Sequence, residues 1–352
     1  MQSRAAKGVL VIIAAITVFL AVNAVITVFS AYHPQETEPV AFVGEEQKTK
    51  LSSDKIKILT FNTGHGALGA ESDLKKEGGS GRRVSTDVIL KNVRGISEIV
   101  NLSSADVVLL QDVDVDSYRS RYVDQYSYYL GNGSYIGAFA LDFSTRSTSL
   151  LPPYKKVQSG LLTLSRKSVL SANRVSLPAG FSGLPSSVNP KRAMLVTEFE
   201  IEGGNKKLTL INLELDAYTS SEKREEQIIA VIDYAEKSAQ NGDYVIAGGS
   251  FYSCFDNTAE RYPLNDRNKW EPGEFAFDKL PDGWSLVYDA AVPTARLLNA
   301  PYDSEAAQEE RQVYVADGYI ASPNVEIKMI VTVDQEFRYS AHNPVLLEIA
   351  LK

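Results

Sequence analysis

The sequence predicts an α+β domain of two packed, mostly antiparallel β-sheets flanked by helices, a four-layer αββα sandwich, preceded by one N-terminal transmembrane helix. Three observations predict it. Residues 8–32 are 25 consecutive uncharged positions, more than the roughly 20 that cross a bilayer core as a helix. Beyond them, short β-branched and aromatic runs far outnumber two clear amphipathic helical patterns, too few for a parallel βαβ repeat. Hairpin signals, clearest at Gly203-Gly204-Asn205, join successive strands directly.

The 352 residues are 44% hydrophobic and 23% charged, an ordinary globular balance. The single cysteine, Cys254, excludes an intramolecular disulfide framework and a cysteine-based zinc site. Three histidines (His33, His65, His342) are too few for a histidine-rich metal centre. The net charge is −8, and Arg4 and Lys7 are the only charges in the first 32 residues, so the remainder carries −10. Such a surface repels nucleic-acid phosphates, and no nucleic-acid partner is expected. The basic pairs Arg82-Arg83, Lys155-Lys156 and Lys191-Arg192 read as solvated surface.

The chain divides into a cytoplasmic N-terminus (1–7), a transmembrane anchor (8–32), a linker (33–54) and one folded domain (55–352). Arg4 and Lys7 precede the apolar run, and positive-inside bias then puts the bulk of the chain outside the cell membrane. A cleaved signal peptide is the competing reading, with a small-residue site at Val22-Asn23-Ala24. The apolar run continues past that site to Phe29, which favours an uncleaved anchor. Residues 33–54 are polar, contain Pro and lack periodicity, so they read as a tether lifting the domain off the membrane.

In the domain, residues 56–61 form a first strand, followed by a glycine-bearing loop at 62–66 and a mobile, charged loop at 70–85. Thr86 is placed to cap a helix running to about Leu102, with Val88, Ile89, Val93, Ile96, Ile99 and Val100 at helical spacing. Residues 107–110 form a buried strand, and 117–150 are Tyr- and Ser-rich without periodicity. Strands follow at 160–165, 193–199 and 208–213, with an irregular loop between the first two. Thr219 and Glu222 fit a capping box that opens a helix to about Ala239. Residues 244–247 form a buried strand ending in Gly248-Gly249. An irregular stretch at 256–282 precedes closing strands at 314–315, 318–321, 325–333 and 345–351.

The strand ends carry the polar residues. Leu59-Thr60-Phe61-Asn62 ends the first strand, and Asp106 to Val113 contains Gln111-Asp112. Ser159-Gly160-Leu161-Leu162-Thr163-Leu164-Ser165-Arg166, Leu210-Ile211-Asn212-Leu213-Glu214-Leu215 and Val245 to Tyr252 follow. Asp317-Gly318-Tyr319-Ile320 and Ser340-Ala341-His342-Asn343-Pro344-Val345 complete the series. Each motif is weak alone. Seven in this order, over residues 55–352, resemble the endonuclease/exonuclease/phosphatase superfamily.

The resemblance implies metal-assisted hydrolysis of a phosphoester. A Mg²⁺ held by carboxylates and an Asn polarises the phosphate, an Asp with a nearby Asn handles water, and an Asp-paired His stabilises developing charge. This sequence departs from that pattern at five positions. Asp112 stands where Glu is expected, Glu214 where His is, Ser250 where Asp is, Tyr252 where Asn is and Ala341 where Asp is. Asn62, Asp317 and His342 are unchanged. The expectation is a membrane-anchored, extracytoplasmic protein with an impaired hydrolytic site, serving as a binding or scaffolding module for an unidentified ligand or partner, with no resident cofactor. The alternative is a metal-dependent phosphodiesterase or phosphatase with a rebuilt site. It would hold Mg or Mn on Asn62, Asp112 and Glu214, with His342 and Asp317 as catalytic residues.

Other features have blander readings. Asp112, Asp114 and Asp116 alternate on one strand face without the glycine and closing Glu of a Ca²⁺ loop, and read as solvated. His65 reads as a loop histidine without a role, close to Asn62. Tyr118, Tyr122, Tyr126, Tyr128 and Tyr129 read as packing over a sheet edge. Cys254 reads as an unpaired small apolar residue.

Overall fold

A computed structural model describes residues 2–44, 47–131, 135–149, 154–255, 258–265, 269–303 and 311–352. α1 (Gln2–Phe29) contains one stretch, Ala6–Phe29, long and apolar enough to cross a membrane. It stands largely outside the fold, with only 6% of its most apolar window buried. β1 (Thr37–Pro39), β2 (Phe42–Val43) and β3 (Ile56–Asn62) follow. α2 (Thr86–Ser103) leads into β4 (Val107–Asp114), and the short α3 (Gln125–Leu130) into the antiparallel pair β5 (Ile136–Thr145) and β6 (Val157–Ser165). β7 (Ser171–Ser176), α4 (Gly183–Ser186), β8 (Ala193–Glu200) and β9 (Lys207–Glu214) precede α5 (Ser221–Ala239) and β10 (Tyr244–Ser250). Short pieces come next: β11 (Ser253–Cys254), α6 (Thr258–Arg261), β12 (Gly273–Glu274), β13 (Ser285–Val287), β14 (Ala295–Arg296) and β15 (Val313–Tyr314). β16 (Asp317–Ala321), β17 (Val325–Thr332) and β18 (Val345–Leu351) close the chain.

The main strands form two seven-stranded sheets, β1-β7-β8-β9-β10-β16-β13 and β17-β18-β3-β4-β6-β5-β2. Each is antiparallel except for one parallel pair, β9/β10 in the first and β3/β4 in the second. The expected two-sheet sandwich is therefore present. Ile56, Ile58, Leu109, Leu210, Ile246 and Leu347 fill the space between the sheets. α2 buries Ile89, Val93 and Ile96 on one outer face, and α5 buries Ile228, Val231 and Ile232 on the other. Each fully buried aliphatic side chain of this kind contributes about 1.5–3 kcal/mol.

Polar groups set the registration between the sheets. Gln111 donates to the Asn212 side chain at 2.8 Å, and Asn212 donates in turn to the carbonyls of Leu110 and Leu162 at 3.1 and 3.2 Å. The Tyr319 hydroxyl, on β16, lies 2.8 Å from the Val345 carbonyl of the opposite sheet. Gly248 and Gly249 are needed here. A Cβ on Gly248 would fall 2.4 Å from the Tyr319 ring, and one on Gly249, at φ +153°, would fall 1.9 Å from the Leu213 carbonyl oxygen.

Several details differ from the sequence expectations. The N-cap of α2 is Ser85, whose hydroxyl accepts from Val88, because Thr86 already has helical backbone. The N-cap of α5 is Ser220, accepting from Lys223, while the Thr219 hydroxyl donates to the Gly180 carbonyl. The aperiodic stretch 117–150 contains α3 and the ten-residue β5. The segment 33–54 is stitched onto the domain: β1 pairs with β7, β2 pairs with β5, and Leu51 is fully buried beside Ile201.

Candidate ligand site at the strand ends

The topology gathers the polar strand ends at one rim. In the parallel pairs, Asn62 lies opposite Gln111 and Ser250 opposite Glu214. β16 runs antiparallel to β10, so its first residue, Asp317, lies opposite Ser250. β18 runs antiparallel to β3, which brings the 340–344 loop and His342 to the same place. A bulge in β4 between Leu110 and Val113 turns Asp112 out of the ladder, with φ +53°.

Asp112 is the centre of one ion-pair cluster. Its Oδ1 accepts from Arg119 and from the Ser159 hydroxyl, and its Oδ2 pairs with His65 Nδ1 at 2.9 Å. Burial opposes this charge, but Arg119 and His65 outweigh it and hold the carboxyl well below the usual carboxylate range. Arg119 also grips the fully buried Asp114, and Asp116 pairs with Lys156. All three aspartates are thus ion-paired, Asp112 and Asp114 out of solvent and Asp116 at the surface as expected, and His65 has a partner of its own.

Glu214 is the centre of a second cluster. Arg192 holds its two oxygens at 2.7 and 3.2 Å, and the same guanidinium reaches Asp142 at 2.7 Å and Asp216 at 3.3 Å. One cation thus faces three buried carboxylates. Burial pushes Glu214 up to about 7; Arg192 pulls the other way, while Asp112 and Asp142 add to the rise.

The third group is a chain. Asn62 Oδ1 accepts from the Gly64 backbone, and its Nδ2 faces the Ser250 hydroxyl at 3.1 Å and the Tyr252 hydroxyl at 3.3 Å. Ser250, fully buried, donates to Asp317. Asp317 in turn lies 2.9 Å from His342 Nδ1. Burial alone lowers the imidazole's basicity, but Asp317 more than offsets it, so His342 titrates above its ordinary value. Tyr252, held at φ +48°, stands edge-on to His342 with ring centroids 5.7 Å apart, and its hydroxyl donates to Glu214 Oε1 at 3.2 Å. Ala341 presents only a methyl group to the cavity.

These residues line a cavity of about 710 Å³. Every residue singled out from the sequence (Asn62, Asp112, Glu214, Tyr252, Ala341, His342) lies on its wall except Ser250 and Asp317, which sit behind it. Sequence reasoning missed its cations. Lys75, Lys76, Arg83, Lys155 and Lys156 surround the outer part; Arg119, Arg192 and Arg296 lie deeper. Against these stand four lining carboxylates, Glu77, Asp112, Asp142 and Glu214. The three basic pairs read as solvated surface each send at least one member here. Three dipeptides at separate places in the chain gave no signal of convergence. Arg83 stacks on Tyr118 at 3.6 Å, and Trp270 packs among Tyr218, Tyr252 and Tyr314 on the far wall. Tyr118 thus belongs to the cavity and Tyr122 is exposed, whereas Tyr126, Tyr128 and Tyr129 pack against the core under α2 rather than over a sheet edge.

The sequence model described as the Endonuclease/Exonuclease/phosphatase family matches residues 59–299. No curated protein sequence matches the chain. Solved structures share the fold at low identity. An endonuclease/exonuclease/phosphatase from Beutenbergia cavernae DSM 12333 is 14% identical with a TM-score of 0.55, covering 85% of this chain and 72% of that one. ANGEL2, a 2',3'-cyclic phosphatase solved with adenosine-2',3'-vanadate, is 13% identical with a TM-score of 0.56, covering 89% and 99%. The human Nocturnin catalytic domain, solved with a bound sulfate anion, is 14% identical with a TM-score of 0.53, covering 90% and 99%.

Proposed function

The chain belongs to the endonuclease/exonuclease/phosphatase family, and from that premise we propose that it is a membrane-anchored binding module whose cavity takes a phosphate-bearing ligand without hydrolysing it. One observation carries the reading: each carboxylate placed to hold a divalent cation is already held by a guanidinium, Asp112 by Arg119 and Glu214 by Arg192. Mg²⁺ requires near-octahedral oxygen ligands and is strict about their placement. Both oxygens of Asp112 are engaged, by Arg119, Ser159 and His65. Both oxygens of Glu214 are engaged, by Arg192 and Tyr252. The carbonyl of the Asn62 amide accepts from Gly64 and its amino group points at the site. These groups do not fit a resident divalent cation.

The rest of the machinery is altered in the same sense. Where the family places a water-handling carboxylate, Ser250 offers a hydroxyl spent on Asp317. Where it places a small amide, the Tyr252 ring stands between His342 and Trp270. General-base assistance alone is worth about 10²–10⁴-fold, so removing it with the cation leaves little turnover. The exposed lysines at the cavity's outer part supply charge for a phosphate, and the apolar helix supplies the anchor. With Arg4 and Lys7 ahead of that helix, the reading places the domain outside the cell.

A second reading, a hydrolase with a rebuilt site, draws on the intact Asp317–His342 pair and on the surplus of acid around Arg192. Two measurements separate them. Titration calorimetry of the purified chain with Mg²⁺ or Mn²⁺ should give no specific heat, and p-nitrophenol release from its bis-phosphate ester should be metal-independent and at background. Metal-dependent release that is lost in Asp112→Ala would overturn the binding-module reading.

A further inference from the structure

The mouth of the cavity opens beside the apolar helix. A groove of about 330 Å³ is walled on one side by Ala24, Thr27 and Val28 of α1. On the other side its wall includes Thr148, Val188 and Asn189, and these three residues also line the large cavity. Groove and cavity therefore share a wall. An α-helix rises 1.5 Å per residue, so about 30 Å of hydrocarbon counted from Gly8 ends near Thr27. The groove then lies where acyl chains meet headgroups.

The domain is fixed at that height rather than swinging on a tether. Asn23, the polar residue of the apolar run, accepts from the Tyr154 hydroxyl at 2.9 Å. Arg146 lies over the Tyr154 ring at 5.0 Å, an arginine–aromatic pair of the kind that settles at a membrane interface. Tyr32 reaches the Leu141 carbonyl at 3.4 Å with Arg174 against its ring, and β1 and β2 bind the following residues to the sheets. Beside the shared wall stand Lys155 and Lys156.

We propose that the cavity takes the headgroup of an anionic phospholipid from the leaflet around the C-terminal end of α1, its phosphate among the mouth lysines and an acyl chain in the groove. This rests on the reading of the cavity as a phosphate-binding site. The lipid reaches the site sideways, from the bilayer, and a water-soluble phosphate with the same charge lacks the groove contact.

Native mass spectrometry of the full chain in a nonionic detergent tests this with three probes: dioctanoyl phosphatidic acid, dioctanoyl phosphatidylcholine and inorganic phosphate. Phosphatidic acid should bind above the other two, exceeding inorganic phosphate by at least about tenfold, the factor given by burying two methylene groups. Thr27→Trp and Ser187→Trp, at groove positions on opposite walls that do not line the large cavity, should bring lipid binding down to the level of inorganic phosphate and leave the latter unchanged. Lys155→Glu with Lys156→Glu should weaken both. If phosphate binds as tightly as the lipid and the groove variants change neither, the lipid inference falls and the phosphate-binding reading stands. Equal binding of phosphatidylcholine overturns the anionic selectivity. If no probe binds, both readings fall.

Discussion

Tyr252 donates its hydroxyl to Glu214 Oε1 at 3.2 Å, on an oxygen that Arg192 also holds at 3.2 Å. Tyr252 and Glu214, two of the five positions at which the sequence departs from the pattern it resembles, are therefore in direct contact, and Arg192 joins Glu214 to Asp142 and Asp216.

The first prediction follows from Glu214. Its folded-state value of about 7 lies above the ordinary carboxylate value near 4.5. Between those values the folded protein binds more protons than the unfolded chain, so stability falls as pH rises from about 4.5 to about 7 and this contribution is flat on either side. The slope amounts to at most about 3 kcal/mol over that window. Thermal unfolding of the micelle-solubilised chain across that range should show it, and Glu214→Gln should flatten the profile. An unchanged profile in the variant would locate the proton elsewhere.

Arg192 offers a stability test. Arg192→Met leaves Asp142, Glu214 and Asp216 buried without their cation, a change that destabilises by about 3–5 kcal/mol. Denaturant midpoints measure it. A loss under about 1 kcal/mol would mean that the three carboxylates are already protonated in the native protein.

His342 titrates above its ordinary value because Asp317 faces it. The stability this contributes is present below about 6.5, the unfolded value, and is lost as pH rises through the folded value. With Asp317→Asn the largest influence raising it is gone, leaving burial against the weaker pull of Glu214 and Asp112, so the imidazole midpoint should fall below that of the parent. Proton NMR of the His342 ring reads both midpoints directly, and a parent midpoint below that of the variant would contradict the pairing.

Gly249→Ala tests the strand end. The new Cβ meets the Leu213 carbonyl at 1.9 Å from a backbone at φ +153°. The expected loss is about 3 kcal/mol or more, seen as a fall in melting temperature, whereas Gly203→Ala, in open space at φ +72°, should lose far less.

The sandwich was legible because burial writes itself into local sequence. The runs at 107–110 and 244–247 are apolar on both faces, those at 56–61 and 208–213 are mostly so, and α2 and α5 carry their buried stripes at regular spacing. β5 was not, since its Ala, Gly and Asp residues alternate with Phe only in part and its partner sets its conformation. The two helix caps shifted by one residue because Ser85 and Thr86, like Thr219 and Ser220, are chemically interchangeable as caps. The strand-end residues of the site could be named from their motifs. The pairings of Arg119 and Arg192 could not: Arg119 folds back from the loop after β4 onto an Asp112 turned out by the bulge, and Arg192 meets Asp142 and Glu214 only through the packing of distant strands.

The Ser250–Asp317 hydrogen bond constrains which residues the strand end accepts. At position 252 a change to Asn would relax the backbone, since Asn tolerates positive φ far better than a bulky ring does. At position 250 a change to Asp would press a second carboxylate onto Asp317 in a fully buried setting with no cation between them. Adjacent positions at one strand end thus differ in what they tolerate: 252 can exchange its ring for a small amide at no backbone cost, while 250 is held to a neutral partner for as long as Asp317 stays ionised behind it.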